Sequence, residues 1–125
     1  MQRPVAAATA AENAVITKAT LRAADLLGIT ARTLALVIGV SEATVSRMRK
    51  QEFLLERGTK PFELAVLFVR LFRSLDAIVG GDETVARAWL RNPNVTLDGT
   101  PIEKILTIAG LVDVIAYLDS RRALV

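Results

Sequence analysis

The chain has 125 residues, of which 52% are hydrophobic. This is enough for one ordinary domain, or for two very small domains that share a core. The chain contains neither cysteine nor histidine, which removes disulfides, thiolate metal sites, the commonest general base and the usual transition-metal ligands. None of the 13 acidic residues forms an obvious pair. The composition argues against an enzyme and predicts neither a cofactor nor a metal.

The charges are distributed unevenly along the chain. Residues 1–60 carry nine Lys and Arg against five Asp and Glu, whereas residues 61–125 carry seven against eight. The first half is therefore a candidate for contact with a polyanion, although a difference of this size is weak support by itself.

The first 14 residues are mostly small and follow no clear period. They are predicted to form a flexible arm. The apolar stretch Pro4–Ala8 is too short for a secretory signal, and the apolar stretch that begins near Pro61 is too short and too interrupted by charges to span a membrane. We therefore expect a cytoplasmic protein.

Apolar residues recur at helical spacing in the rest of the chain and almost nowhere alternate as in a strand, which predicts an all-α fold. In the first half, Gly28, Gly39 and Gly58 are placed to end helices, and Ser41 is placed to cap a helix that begins at Glu42.

The second half carries equally clear helix signals. A long helix is predicted from Pro61 to about Val79, followed by Gly80-Gly81 and by Asp82 as the cap of the next helix. Thr100, Pro101 and Glu103 form a predicted capping box, and a last helix is predicted from about Leu111 to Arg122.

The helix of residues 61–79 is apolar around most of its girth, with Glu63, Arg70 and Arg73 on one narrow polar stripe. A helix of this kind is either central or lies at an oligomer interface. Because a fully central helix is hard to cover in so small a protein, the sequence predicts a homodimer that buries part of it.

Two short helices with a glycine turn between them are predicted over residues 33–50. Ala35 allows a close approach, Gly39 provides the left-handed turn, and Val45 faces the core. The remaining positions of the second helix are predicted to face outward, namely Glu42, Ala43, Thr44, Ser46, Arg47, Arg49 and Lys50.

This segment resembles the helix-turn-helix of the Xre/Cro repressor class, in which the alanine, the glycine four residues later and two Val-Ser pairs (residues 40–41 and 45–46) stand at these positions. The resemblance implies that the second helix enters the major groove. Thr44 and Ser46 would reach bases and Arg47 would pair with guanine. The predicted DNA-binding residues are Arg32, Ser41, Glu42, Ala43, Thr44, Ser46, Arg47, Arg49 and Lys50, with Arg32, Arg49 and Lys50 on phosphates.

A simpler interpretation of the basic cluster stays open at this point. Arg47, Arg49 and Lys50 also suit an ordinary solvated helix face, and Glu42 would meet phosphates unless it accepts a hydrogen bond from a cytosine amino group.

The segment from residue 86 to residue 118 carries a second ordered set of residues. They are Ala86, Trp89, Leu90, Pro93, Asn94, Leu97, Gly99, Pro101, Leu106, Gly110 and Val114. Their order and spacing resemble those of the C-terminal toxin-binding domain of the Xre/MbcA/ParS antitoxin family, and the resemblance covers roughly residues 61–122.

The family resemblance implies a partner and a mechanism. Such antitoxins pair with RES-domain toxins that act on NAD⁺, block the toxin's active-site cleft with their C-terminal region, and repress their own operon, often as a dimer. The toxin-binding residues that this implies are Asp113, Tyr117, Arg121, Arg122, Leu124 and Val125.

Structural roles are open for the same residues. Arg121 and Arg122 also complement the negative end of the last helix, and Trp89 is as well explained as a core residue. Two other functions also remain: a stand-alone dimeric repressor, and an interaction adaptor that keeps the helix-turn-helix only as a scaffold. The sequence thus predicts an arm (1–14), a helix-turn-helix domain (15–60) and a toxin-binding domain with a dimerising helix (61–125).

Overall fold

The computed structural model describes residues 5–123, with side chains from Ala8 onward, and this part of the chain forms seven helices joined by loops. The helices are α1 (Val5–Leu26), α2 (Ala31–Ile38), α3 (Glu42–Arg49), α4 (Lys60–Ile78), α5 (Glu83–Arg91), α6 (Pro101–Lys104) and α7 (Ile108–Arg122). An isolated antiparallel bridge joins Asn94 and Gly99, and residues 5–123 contain no strand. The predicted all-α fold is confirmed.

Helix α1 corrects the prediction of a flexible arm. Residues 5–14 are helical, while residues 1–4 lie outside the described part of the chain. Six of these ten residues are alanine, whose high helix propensity supports a helix without any apolar period. The loop that follows α3 also holds this segment, because the Arg57 backbone N–H donates to Asn13 Oδ1 (3.0 Å) and its guanidinium pairs with Glu12 (3.2 Å).

The predicted caps of α3 and α5 are confirmed. The Ser41 hydroxyl accepts from the Thr44 N–H (3.0 Å), and the Asp82 carboxylate accepts from the Val85 N–H (3.2 Å). Gly39 ends α2 with a φ of 74°, in the left-handed region that favours glycine.

The predicted capping box at Thr100 is wrong, because the Thr100 side chain caps nothing. The four-residue helix α6 begins there, and the last helix begins at Ile108 rather than near Leu111. Its cap is Thr107, whose hydroxyl accepts from the Gly110 N–H (3.1 Å).

Helix α4 is central, and other helices of the same chain cover it. It packs against α7, α1 and α2, and its side chains Phe68, Leu71 and Leu75 are almost fully buried. The polar stripe with Arg70 and Arg73 faces outward, as predicted. The premise that a small chain cannot cover such a helix is therefore wrong. The homodimer through residues 61–79 stays a prediction without that support.

One hydrophobic cluster runs through both halves of the protein. It joins Leu27, Leu34 and Val45 of the first half to Leu90 and Leu111 of the second. Because α4 contributes to the packing of both halves, the predicted boundary at residue 60 stays a prediction. Among the described helices, none is both long and apolar enough to cross a membrane.

Candidate functional sites

The first candidate site is the exposed face of α3. Its side chains lie at helical spacing, begin directly after the cap Ser41, and belong to Glu42, Ala43, Ser46, Arg47 and Lys50. The opposite face, with Val45 and Met48, is buried in the core. The first turn of α3 thus exposes one short side chain and one carboxylate to solvent, and the cations Arg47 and Lys50 follow later on the same face.

Thr44 does not belong to this face. Its side chain is only 8% exposed, because residue 44 lies on the same side of the helix as the buried Met48. The Thr44 hydroxyl lies 2.9 Å from the Ser41 hydroxyl and accepts from the Arg47 guanidinium (3.1 Å). The prediction that Thr44 faces outward to contact a base is wrong. It supports Arg47 instead, and the Ser41 hydroxyl is engaged in the cap.

Two contacts hold Arg47 in place. Besides its bond to Thr44, the guanidinium lies over the ring of Phe53, 5.6 Å from the centroid, which is a cation–π geometry. The Arg47 side chain is thus exposed and makes both contacts within the protein itself.

The remaining predicted phosphate contacts differ from one another. Arg49 points towards α1, where its guanidinium donates two hydrogen bonds to the Asp25 carboxylate (2.8 and 3.3 Å). Arg32 and Lys50 are exposed, at the start of α2 and just after α3 respectively. The structure therefore places Lys50 on the outer face with Arg47, and Arg49 at its edge.

The second candidate site is built around Tyr117 of α7. The Tyr117 ring stacks on Trp89 of α5, with the ring centroids 6.1 Å apart and the planes 15° from parallel. The Arg121 guanidinium lies 5.6 Å from the centroid of the same ring. Trp89 and Tyr117 are half-buried, while Arg121 is exposed. The charged Arg121 side chain thus lies at the surface, next to a pair of stacked aromatic rings.

Hydrogen bonding with the Asn94 side chain lowers the pKa of Tyr117, and Arg121 adds to the effect, while partial burial opposes it. Both groups favour the charged form of the phenol. The Tyr117 hydroxyl therefore lies in a more polar environment than its stacked ring does.

The structure separates the predicted toxin-binding residues into two groups. Asp113, Tyr117 and Arg121 follow one another at four-residue spacing on one side of α7. Arg122 instead lines a cleft of about 710 Å³ between α1, α4 and α7, together with Arg70 and Arg73 of α4. The two arginines predicted to act as a pair thus point into different surroundings. Leu124 and Val125 lie outside the described residues.

Exposed apolar side chains occur on the same two helices. Val85 of α5 and Ile108 and Val112 of α7 are each about half exposed. Val85 is one turn before Trp89, and Val112 is next to Asp113, so the domain exposes apolar area beside its charged groups.

Sequence reasoning missed four contributors to these sites. Trp89 and Asn94 are named in the sequence only as positions of the family pattern, with a core role open for Trp89, and Phe53 and Asp25 are given no role. Each of the four nevertheless contacts a predicted site residue. Only for Trp89 does the sequence contain a signal of a place at the surface site. Trp89 is four residues after Val85, and this spacing predicts that the two side chains lie on one side of α5. The other three meet their partners through the fold.

These two surfaces define a helix-turn-helix protein that carries a second, helical binding domain. Residues 6–70 match the model of the antitoxin Xre-like helix-turn-helix domain, and residues 74–123 match that of the antitoxin Xre/MbcA/ParS C-terminal toxin-binding domain. The chain belongs to the Xre/MbcA/ParS antitoxin family, as its sequence predicts. It is a non-enzymatic antitoxin whose two domains bind DNA and a toxin. A comparison with curated proteins finds no match.

Proposed function

We propose that this antitoxin belongs to a type II toxin–antitoxin system, acts in the cytoplasm, and neutralises a RES-domain toxin that acts on NAD⁺. The observation that carries the proposal is the stack of Trp89, Tyr117 and Arg121 on the domain that matches the toxin-binding model. Trp, Tyr and Arg are the side chains that contribute most to the energy of protein interfaces. The family match of this domain counts against a stand-alone repressor.

The chemistry of α7 suits a cleft that binds a dinucleotide. Such a cleft must hold phosphates and a ribose, and a guanidinium is well shaped for phosphate sites. Arg121 at the end of the stack supplies the cation, and Asp113 two turns earlier offers an acceptor for hydroxyl or basic groups. We propose that this side of α7, continued by Leu124 and Val125, covers the toxin's active site. Arg122 faces the cleft with Arg70 and Arg73 instead, so we propose that it contacts the toxin outside that active site.

For the DNA-binding half, we propose that the exposed face of α3 reads the promoter of the antitoxin's own operon. Ser46 and Arg47 contact base edges, and Lys50 and Arg32 contact phosphates. Glu42 and Ala43 lie in the first turn of α3, and in helix-turn-helix proteins this turn of the recognition helix approaches the bases.

A homodimer would present two copies of helix α3 to the two half-sites of a DNA operator. The dimerising face proposed here is the exposed side of the segment 61–79. Val66 is exposed on it and borders a groove shared with Val15 and Ile16 of α1. This groove provides apolar area for a symmetric contact.

Co-expression with a RES-domain toxin tests the toxin-binding proposal. The double variant Asp113→Arg/Arg121→Glu reverses both charges on α7, and we expect it to lose growth rescue and to leave NAD⁺ loss by the purified toxin uninhibited. The matched control is Arg32→Ala/Lys50→Ala, which alters only the proposed DNA face and should rescue growth fully.

Full rescue by the α7 variant would contradict the proposed surface. A chain that ends at Ala123 tests Leu124 and Val125 separately, because it leaves all the described contacts of α7 in place. If the wild-type chain inhibits no RES-domain toxin, the partner is a toxin of another class.

A further inference from the structure

Two arginines of α5 cap the C-terminal end of α1. The last turn of α1 contains no basic residue of its own. Arg87 Nε donates to the Leu26 carbonyl (2.9 Å), while Arg91 donates to the carbonyls of Leu27 (3.1 Å) and Gly28 (2.8 Å). Carbonyls at a helix C-terminus lack partners within the helix and carry partial negative charge. The two guanidinium groups therefore satisfy this end of α1 and complement its dipole.

The two arginines act as one unit. They lie one turn apart on α5, and Arg91 also donates to the Arg87 carbonyl (2.9 Å). They pack closely on the turn after α1, since a Cβ atom at Gly28 would lie 3.4 Å from a nitrogen of each guanidinium. The contact joins the two halves, because α5 lies in the segment that matches the toxin-binding domain and α1 in the segment that matches the helix-turn-helix domain.

The capped turn leads directly into the helix-turn-helix, whose second helix, α3, is the part that we call the reader. Ile29 is buried, and Thr30 caps α2, the first helix of the helix-turn-helix. Asp25 lies at the same end of α1. Its carbonyl accepts from Arg87 (3.4 Å), while its carboxylate accepts two hydrogen bonds from Arg49 in the last turn of α3. The end of α1 is thus bonded to α5 on one side and to α3 on the other.

We propose that Arg87 and Arg91 are positioning residues for DNA reading. They act through α1, by holding Asp25 and the α1–α2 turn in the arrangement that aims α3, and they do not contact DNA. The toxin-binding domain is then part of the DNA-binding unit. This inference rests on the proposed DNA-binding role of α3 and is independent of the toxin's identity.

The test compares two double variants of the full chain that lose the same charge. Arg87→Gln/Arg91→Gln removes the caps, and Lys60→Gln/Lys104→Gln removes two cations that have no proposed role in binding. The probe is the duplex that the wild-type chain enriches from a randomised library. Circular dichroism confirms folding, and Arg91→Lys, which keeps the charge but loses the fork of donors, provides a milder change if the double variant unfolds.

We expect the affinity of the Arg87→Gln/Arg91→Gln variant to fall about tenfold, since it loses several charge-assisted hydrogen bonds that hold the reader. The slope of log affinity against log salt should stay unchanged, because no phosphate contact is lost. The amide NMR signals of α3 should shift in this variant. The control should match the wild-type chain in all three measurements.

Three results would overturn the inference. If the variant binds as the control does, the arginines do not position the reader, while DNA binding itself stands. If the salt slope falls by about one for each arginine, they contact phosphates directly. If the wild-type chain enriches no duplex, the DNA-binding proposal fails, and unshifted amide signals in α3 would then refute the structural coupling as well.

Discussion

The two surfaces of this antitoxin are built in different ways. On α3, the contacts that hold the reader are mostly local, since Ser41, Thr44 and Arg47 bond to one another at three-residue spacing. The C-terminal surface joins Trp89 of α5 to Tyr117 of α7, far apart in the sequence. A local site depends on one helix and its cap, whereas a site assembled from distant segments depends on the packing of the whole domain.

The largest expected effect tests how tightly the C-terminal region is packed. A Cβ atom at Gly110 would overlap the carbonyl group of Lys104, and backbone atoms cannot turn aside as a flexible side chain can. We expect Gly110→Ala to lower the free energy of unfolding by about 3 kcal/mol, measured by urea denaturation. Trp89 is the only tryptophan, so its fluorescence follows this region, while circular dichroism follows all helices.

The matched control for this prediction is Gly99→Ala, which also places a methyl group beside Lys104. There the nearest atoms belong to the flexible side chain, at an ordinary distance of 3.5 Å, so the expected cost is below about 1 kcal/mol. Because one hydrophobic cluster joins both halves, fluorescence and circular dichroism should give the same transition. Equal stability of Gly110→Ala and the wild-type chain would show that α6 and α7 are loosely joined.

The next effect concerns the reader. We expect Arg47→Ala to reduce discrimination at one base pair by about 1–3 kcal/mol, because Thr44 and Phe53 hold its guanidinium at the exposed face of α3. Lys50→Ala should weaken binding to all duplexes alike and reduce the salt slope by about 1. Fluorescence anisotropy with the enriched duplex and its single-base variants measures both. A uniform loss for Arg47→Ala would assign that residue to phosphate contact.

The same contrast explains what the sequence could predict. The caps at Ser41 and Asp82 and the turn at Gly39 depend on neighbouring residues, and all three are confirmed. The prediction for Thr44 is wrong although the site is local, because the helical phase places residue 44 on the same side of α3 as the buried Met48.

Contacts between distant segments could not be predicted in this way. No pattern in the sequence pairs Arg87 with the end of α1, because that contact follows from the way α1 and α5 pack. The separation of Arg121 from Arg122, in contrast, follows from the helical phase, since neighbouring residues of a helix point in different directions. For the toxin-binding domain, the order of its motifs identified the family but not the geometry of the surface.

A smaller effect on stability should distinguish the helix cap at Ser41, which forms, from the predicted cap at Thr100, which does not. Ser41→Ala removes a hydroxyl that accepts the Thr44 N–H, and we expect it to cost about 1 kcal/mol of unfolding free energy. Thr100→Ala should cost much less, because the Thr100 side chain makes no cap bond. Thermal and urea unfolding of the two variants check the difference. Equal costs would mean that the Thr100 hydroxyl caps α6 in solution.

The smallest effect is electrostatic and reports on the C-terminal stack directly. Tyr117 is the only tyrosine, so the ultraviolet absorbance of tyrosinate gives its pKa, which we expect below the ordinary value of 10.0. Asn94→Ala and Arg121→Gln should each raise the pKa, since hydrogen bonding with Asn94 lowers it and so do the hydrogen bond and the charge of Arg121. Tyr117→Phe removes the titration and serves as the blank.

The lowered pKa of Tyr117 also determines whether the stability of the fold rises or falls with pH. Below its folded pKa, Tyr117 is protonated in both the folded and unfolded states and contributes nothing to the difference between them. Between the folded pKa and the ordinary value, the unfolded chain binds the proton more tightly, so the stability of the fold should rise with pH over that interval and be lost again as the pH falls. Tyr117→Phe should flatten this rise. If the rise persists unchanged in Tyr117→Phe, a group other than Tyr117 causes it.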